Sequence, residues 1–326
     1  MRSVALSLFF IFFLFSAGAP VRAQTLPGAE ELSITVSPQY PRPYDTATIT
    51  VSSTLLDLNA STITISVNGA VVSENERKGV FTMGGPGTAS VISVTTKDAT
   101  GTHQATKRLS PADVALVTES NSTVPPFYKG AQLVASEGSV RLIALADFQT
   151  TTGAKIPPAN LAYTWKFGDK VLEAQSGLGK NILNATAPIR YRDARITVTV
   201  TTQDKSLVAQ ASTVVSPIDP FIRIYKNDPL GGIDLTTALF GTFTMATDEQ
   251  TFHAVPYYYA AFPKIAWTLN GTDSDQDPDL TVRTTGAARG TAVLGARASD
   301  TNVINNAETR FTVQFGQARS TGIFGL

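Results

Sequence analysis

Three times in this chain an apolar β-run reaches a two-residue turn and doubles back. The turns are Asn68-Gly69 after Thr64-Ile65-Ser66-Val67, Gly168-Asp169 after Tyr163-Thr164-Trp165-Lys166-Phe167, and Asn270-Gly271 after Ala266-Trp267-Thr268-Leu269. Asn-Gly between alternating strands signals a hairpin, because a type I′ turn needs positive φ at both central residues. The residues before the turns, Val67, Phe167 and Leu269, are spaced 100 and 102 positions apart. That is the length of one two-sheet β-sandwich, so the spacing predicts three of them in tandem.

The rest of the chain agrees in period. Leu32 to Val36, Ala47 to Val51, Ser90 to Thr95, Arg195 to Thr201 and Arg310 to Phe315 alternate apolar with Thr or Ser. Alternation with β-branched residues reads as antiparallel strands packed on one face and wet on the other. No stretch sustains a helical stripe, so the class is all-β.

Prolines mark the borders, since they cannot donate to a ladder. Ser110-Pro111 closes a first unit and Ser216-Pro217 a second. The expected organisation is a leader at 1–23, immunoglobulin-like domains at 24–111, 112–217 and 218–316, and a tail at 317–326. The second and third units share a further feature. Each carries a Pro and Gly rich corner after its opening strand, Pro125-Pro126-Phe127-Tyr128-Lys129-Gly130 and Asp228-Pro229-Leu230-Gly231-Gly232. The two corners are expected to be equivalent positions of a duplication.

Tyr163-Thr164-Trp165-Lys166-Phe167-Gly168-Asp169 resembles the Trp-x-Phe-Gly-Asp signature of polycystic-kidney-disease-type immunoglobulin-like domains. That resemblance implies a secreted or surface module. The layout of residues 114–316 is similar to exported proteins of candidate-phylum, small-genome bacteria. The first unit is a plainer sandwich.

Arg2, an apolar run from Val4 to Phe15 and the small-residue flank Val21-Arg22-Ala23 form a secretory leader with cleavage expected before Gln24. The run is shorter than the roughly 20 residues a membrane span needs, and the mature chain is expected to have no span. Loss of Arg2 and Arg22 leaves 24 basic against 26 acidic side chains. With no basic cluster, nucleic acid is not an expected partner. The absence of cysteine excludes disulfides, thiol catalysis and Cys-ligated zinc, and points to the cysteine-free bacterial kind of sandwich.

Candidate chemistry is sparse. Trp165 and Trp267 hold the strand position that sandwiches bury between their sheets, with Ile65 in the first unit, so they are expected in cores. Asp273, Asp275, Asp277 and Asp279 place four carboxylates on alternate residues. Such oxygens could form a weak Ca²⁺ site, although Pro278 stands where a calcium loop turns on glycine. Tyr257, Tyr258 and Tyr259 form the densest aromatic cluster. On a strand Tyr258 would oppose the other two, so at least one ring is expected either at solvent, where it could bind a glycan or protein, or packed at a domain border. His103 and His253 are the only imidazoles and fall in different units. No nucleophile elbow, zinc helix or phosphate loop is present.

These features predict a non-enzymatic exported protein of the cell envelope or exterior. It would act as an adhesive or structural rod that takes envelope proteins, extracellular proteins or glycans as partners and uses no cofactor. A carbohydrate- or Ca²⁺-dependent binding module is one alternative. An envelope assembly component, such as a pilus or secretion accessory protein, is another. Ile323, Phe324 and Leu326 give the tail an apolar end for docking.

Overall fold

The computed structural model describes residues 32–274, 277–286, 288–300 and 305–316. The leader with its cleavage site, Asp275 and the tail lie outside the described residues. Among those described the regular structure is strand, apart from two 3₁₀ turns at Pro158–Asn160 and Glu173–Gln175.

The first sandwich comprises β1 (Ser33–Ser37), β2 (Thr46–Ser52), β3 (Thr62–Val67), β4 (Ala70–Glu74), β5 (Lys78–Thr82), β6 (Ser90–Lys97) and β7 (Thr102–Leu109). They form the sheets β1-β2-β5 and β4-β3-β6-β7. The second comprises β8 (Asp113–Asn121), β9 (Ser139–Asp147), β10 (Ala162–Phe167), β11 (Lys170–Val171), β12 (Gly177–Leu178), β13 (Ile182–Thr186), β14 (Ala194–Thr201) and β15 (Val208–Val215). Its sheets are β13-β9-β8 and β11-β10-β14-β15, with β12 also on β10. The third comprises β16 (Phe221–Asp228), β17 (Gly232–Ala238), β18 (Thr242–Thr244), β19 (Glu249–Tyr257), β20 (Lys264–Leu269), β21 (Thr272–Asp273), β22 (Asp279–Arg283), β23 (Gly290–Ser299) and β24 (Asn306–Phe315). Here the sheets are β17-β16-β19-β22 and β18-β24-β23-β20-β21.

In each unit the chain leaves the first sheet after its second long strand, builds the central hairpin of the other sheet, returns once, and finishes on the second sheet. This is the crossing pattern of an immunoglobulin-like sandwich. The third unit adds two features: β17, an extra strand outside β16, and β18, which pairs parallel to the last strand.

Alternation decides which residues face inward. Ile92, Val94 and Thr96 of β6 are buried while Val91, Ser93 and Thr95 between them are not, and Ile196, Val198 and Val200 of β14 repeat the pattern. Three separate cores result, each drawn from one run of sequence. Trp165 and Trp267 are fully buried at their centres, opposite Val198 and Ala296, and Ile65 opposite Val94 takes the same place in the first unit. Each indole N–H donates to a backbone carbonyl, Trp165 Nε1 to Lys180 O at 2.9 Å and Trp267 Nε1 to Asp277 O at 2.8 Å. The polar edge of each ring is thus satisfied in an apolar interior.

The hairpin turns divide by chemistry. Asn68-Gly69 and Asn270-Gly271 both have φ of 50° and 85°, the doubly left-handed pattern of type I′. Both asparagines also lock the turn onto the neighbouring strand: Asn68 Oδ1 accepts the Val91 N–H and Asn270 Oδ1 the Val293 N–H, each at 2.8 Å. In the middle unit only the first turn residue, Gly168, has positive φ, the pattern of a type II′ turn. Lacking a side chain, Gly168 makes only the backbone contact, its N–H donating to Arg195 O at 2.7 Å.

Candidate functional site

The second and third sandwiches meet through the connection between β8 and β9, residues 122–138, which is laid along the outer face of the sheet β17-β16-β19-β22. Thr123 anchors it. Its N–H donates to Tyr259 O at 2.9 Å, its carbonyl accepts the Tyr258 N–H at 2.7 Å, and its hydroxyl accepts the Tyr259 N–H at 2.9 Å. Farther along, Ile218 N–H donates to Val134 O at 3.0 Å, and Ala135 forms a parallel bridge with Ile218. An apolar cluster seals the contact: Tyr225, Val255, Tyr257 and Tyr258, with Val124, Ile218, Phe221, Ile233, Leu235 and Ala238 around them. Main-chain bonds plus buried apolar area make this a built joint.

The three consecutive tyrosines belong to that joint and all are buried: a ring does meet the neighbouring domain, and no open patch for a glycan or protein is left. Strand alternation also fails at this point. Tyr258 has φ of 62°, so its ring falls in the same cluster as Tyr257 while Tyr259 enters the core of the third sandwich. Tyr128 of the second sandwich pairs hydroxyl to hydroxyl with Tyr258 at 2.6 Å, and Tyr225 with Tyr257 at 2.7 Å. Tyr259 donates to Ala298 O at 3.1 Å. Desolvation, aided by the neighbouring phenols, raises the pKa of Tyr257 and pushes Tyr258 up to about 12. Burial alone is the leading cause for Tyr259, also raised to about 12.

Beside the joint lies a groove of about 920 Å³. One wall is Pro125 to Gly130, the floor includes Tyr225 and Tyr257, and the far wall is Asp228 with the consecutive residues Gly231 to Thr236. The two corners that look equivalent in sequence are therefore opposite walls of one cleft. The first is a connection between sheet strands, and the second is the turn that adds β17. Phe127 is 98% exposed with φ of 59°, a left-handed conformation that bulky residues seldom adopt, and Leu230 is 100% exposed. The carboxylates of the far wall fold back on their own chain. Asp228 accepts the N–H groups of Gly231 and Leu230, each at 2.9 Å, and these bonds hold its pKa below the ordinary value. Asp234 is held low chiefly by the Thr236 hydroxyl, with its N–H at 3.1 Å.

The calcium candidates are dispersed into other contacts. Asp273 is exposed on β21. Asp277 gives its carbonyl to Trp267 and its carboxylate to the Asp279 N–H at 3.1 Å. Asp279 accepts from His253 Nδ1 at 2.8 Å and Asn227 Nδ2 at 2.9 Å on the outer face of the third sandwich. Among the described residues no three His, Asp or Glu side chains gather as metal ligands. His103 lies on β7 of the first sandwich, paired with Thr96 of β6, and its Nε2 is 3.6 Å from Asp98 Oδ1, far in sequence from His253.

The first and second sandwiches touch more lightly. Arg42 Nε pairs with Asp113 Oδ1 at 3.0 Å, and Gly87, with φ of 75°, lies so close to the Thr150 carbonyl that a side chain would collide with it. A polar cleft of about 660 Å³ opens there, lined by Arg108, Gln149, Asn160, Asp204 and Lys205 among others. No helix of the described residues is long and apolar enough to cross a membrane.

No protein-family profile matches the chain, and none of the curated proteins does. Solved structures that resemble it are tandem sandwich arrays. The three N-terminal domains of the bacteriophage RB49 highly immunogenic outer capsid protein are 14% identical over 88% of this chain and 99% of that one, with a TM-score of 0.25. The central fibronectin-III array of RIM-binding protein is 11% identical over 84% and 92%, with a TM-score of 0.26. The N-terminal four immunoglobulin domains of Dscam1 isoform 6.9 are 13% identical over 88% and 73%, with a TM-score of 0.24. At these scores the likeness carries no argument, and the fold assignment rests on this chain's own strand order.

Proposed function

We propose that the chain is a non-enzymatic, exported rod of the cell envelope or cell exterior, whose sandwiches at 24–111, 112–217 and 218–316 hold contact surfaces at a distance from their base. The observation that supports it best is the set of three self-contained cores in a line of sequence, joined by short connections. Rigid sheets of this kind suit a mechanical role, with loops and junctions left to make contacts. The likeness of Tyr163 to Asp169 to polycystic-kidney-disease-type modules points the same way, as does the apolar leader. Cell fractionation followed by N-terminal sequencing tests the export half of this reading. A mature chain that begins at Gln24 in the envelope or medium is the expected result, and full-length protein in the cytoplasm would refute it.

A further inference from the structure

We infer that the outer face of the sheet β13-β9-β8, in the second sandwich, is a contact surface for a second copy of this chain running antiparallel to the first. The inference rests on the reading of the chain as a rod and names what one of its contact surfaces takes. Alternation puts Ala115 and Val117 of β8, Ile143 and Leu145 of β9 and Ile182 of β13 on that face. Their register sets them in two adjoining rungs, Val117-Ile143-Ile182 and Ala115-Leu145. Leu145 is 55% exposed and Val117 41%. The matching faces of the other two sandwiches differ. That of the first presents hydroxyls, Thr35, Thr48 and Thr50 among them, and that of the third is covered by the connection at 122–138. The second sandwich leaves a contiguous apolar face in water, the mark of an interaction surface.

The charges that bound the patch select its occupant. Along the central strand β9 the outward residues are Arg141, Ile143, Leu145 and Asp147: a cation, two apolar side chains and an anion. Two copies of one sheet packed face to face about a two-fold axis have their strands either parallel or antiparallel. Parallel strands would set Arg141 against Arg141 and Asp147 against Asp147. Antiparallel strands, with the axis over Ala144, set Arg141 against Asp147 of the second copy and Ile143 against its Leu145. Both charged groups have capacity left. Arg141 reaches Glu119 through Nη1 alone, at 3.5 Å, while Lys155 and Gln149 approach Asp147 at Oδ1 alone, at 3.7 and 3.4 Å. Such long, exposed contacts hold weakly, so the other N–H groups of Arg141 and Oδ2 of Asp147 are open to bonds across the contact. On β8 the same axis brings Glu119 toward Asp113, each of which keeps its own arginine, Arg141 or Arg42. Three strands give a contact at the small end of specific interfaces, so a single pair is weak. Copies that reach toward one another from facing surfaces, rod antiparallel to rod, multiply it.

Sedimentation velocity on the chain from Gln24 onward, between about 1 μM and about 1 mM, should show a concentration-dependent dimer. Leu145→Glu should abolish it by placing a charge in the apolar rungs. Arg141→Asp and Asp147→Arg should each weaken it by about tenfold, since each sets like charges together. An equimolar mixture of those two variants should dimerise as the original chain does, because every contact again joins opposite charges, and so should a chain that carries both substitutions. These side chains lie at the surface, and a thermal melt that matches the original chain's checks that each variant keeps the fold. A chain that stays monomeric throughout would overturn the assignment, as would a dimer indifferent to Leu145→Glu or a loss that the mixture fails to restore. A monomer whose retention by envelope fractions disappears in Leu145→Glu would overturn it as well, by giving the face to a different protein. A chain that scatters as a rod yet fails these tests loses this contact alone.

Discussion

Tyr128 of the second sandwich and Tyr258 of the third share a hydroxyl hydrogen bond of 2.6 Å across the border between them. With the main-chain bonds of Thr123, it couples two units whose cores are otherwise separate. The second and third sandwiches should therefore unfold together in calorimetry. Tyr128→Phe should weaken that coupling by about 1 kcal/mol, the usual net value of a neutral hydrogen bond. Tyr258→Ala, which also empties ring volume, should cost roughly 3 kcal/mol and split the shared transition in two. A transition that stays single and unshifted in Tyr258→Ala would mean that the joint carries no stability.

The same phenols set an alkaline limit. Tyr258 and Tyr259 are raised to about 12 in the folded chain from an ordinary 10.0, so the unfolded chain loses these protons first as pH rises. Their stabilising effect is complete below pH 10 and is lost between about pH 10 and 12. For Tyr259, buried in the core, the slope should approach 1.4 kcal/mol per pH unit, about the value of one pKa unit. Urea titrations across that window check it, and Tyr259→Phe should flatten the slope.

Trp165→Ala and Trp267→Ala should each destabilise by about 3–5 kcal/mol, as expected when a fully buried ring leaves a cavity. The loss should appear in the shared transition of the second and third sandwiches and leave that of the first unshifted. An unchanged melting profile for either variant would contradict its place in the core.

Much of this was legible in the sequence because it depends on local chemistry. Asn270-Gly271 specifies its own turn, and the alternation around Trp267 specifies which face is buried. The Tyr258 ring could not be read in that way, because alternation holds only while φ stays in the β region and the left-handed residue appears where the strand leaves the sheet. The corners at Pro125 and Asp228 each follow their unit's opening strand, as read, but the path after each corner was not legible. Similar composition says that both are bends, while the direction of each bend depends on long-range contacts such as Thr123 with Tyr259. Asp279 looked like one of four equal carboxylates until tertiary structure brought Asn227 and His253 beside it.

That pairing makes a prediction for calcium. With Asp279 engaged and Asp277 bonded to the Asp279 N–H, millimolar Ca²⁺ should leave the melting temperature of the chain unchanged. Asp279→Asn should still lower it by a few degrees, the shift expected when the weakened contact with His253 costs about 1 kcal/mol. Stabilisation by Ca²⁺ that vanishes in Asp275→Asn would restore the metal reading.

Small-angle X-ray scattering on the chain from Gln24 onward tests the central claim, that three sandwiches stand in line as a rod. Strands of several residues at about 3.3 Å each, with end loops, make each unit roughly 40 Å long, so the account predicts a maximum dimension of roughly 100–120 Å. A compact particle, in which the three units fold back on one another within about 60–70 Å, would contradict it.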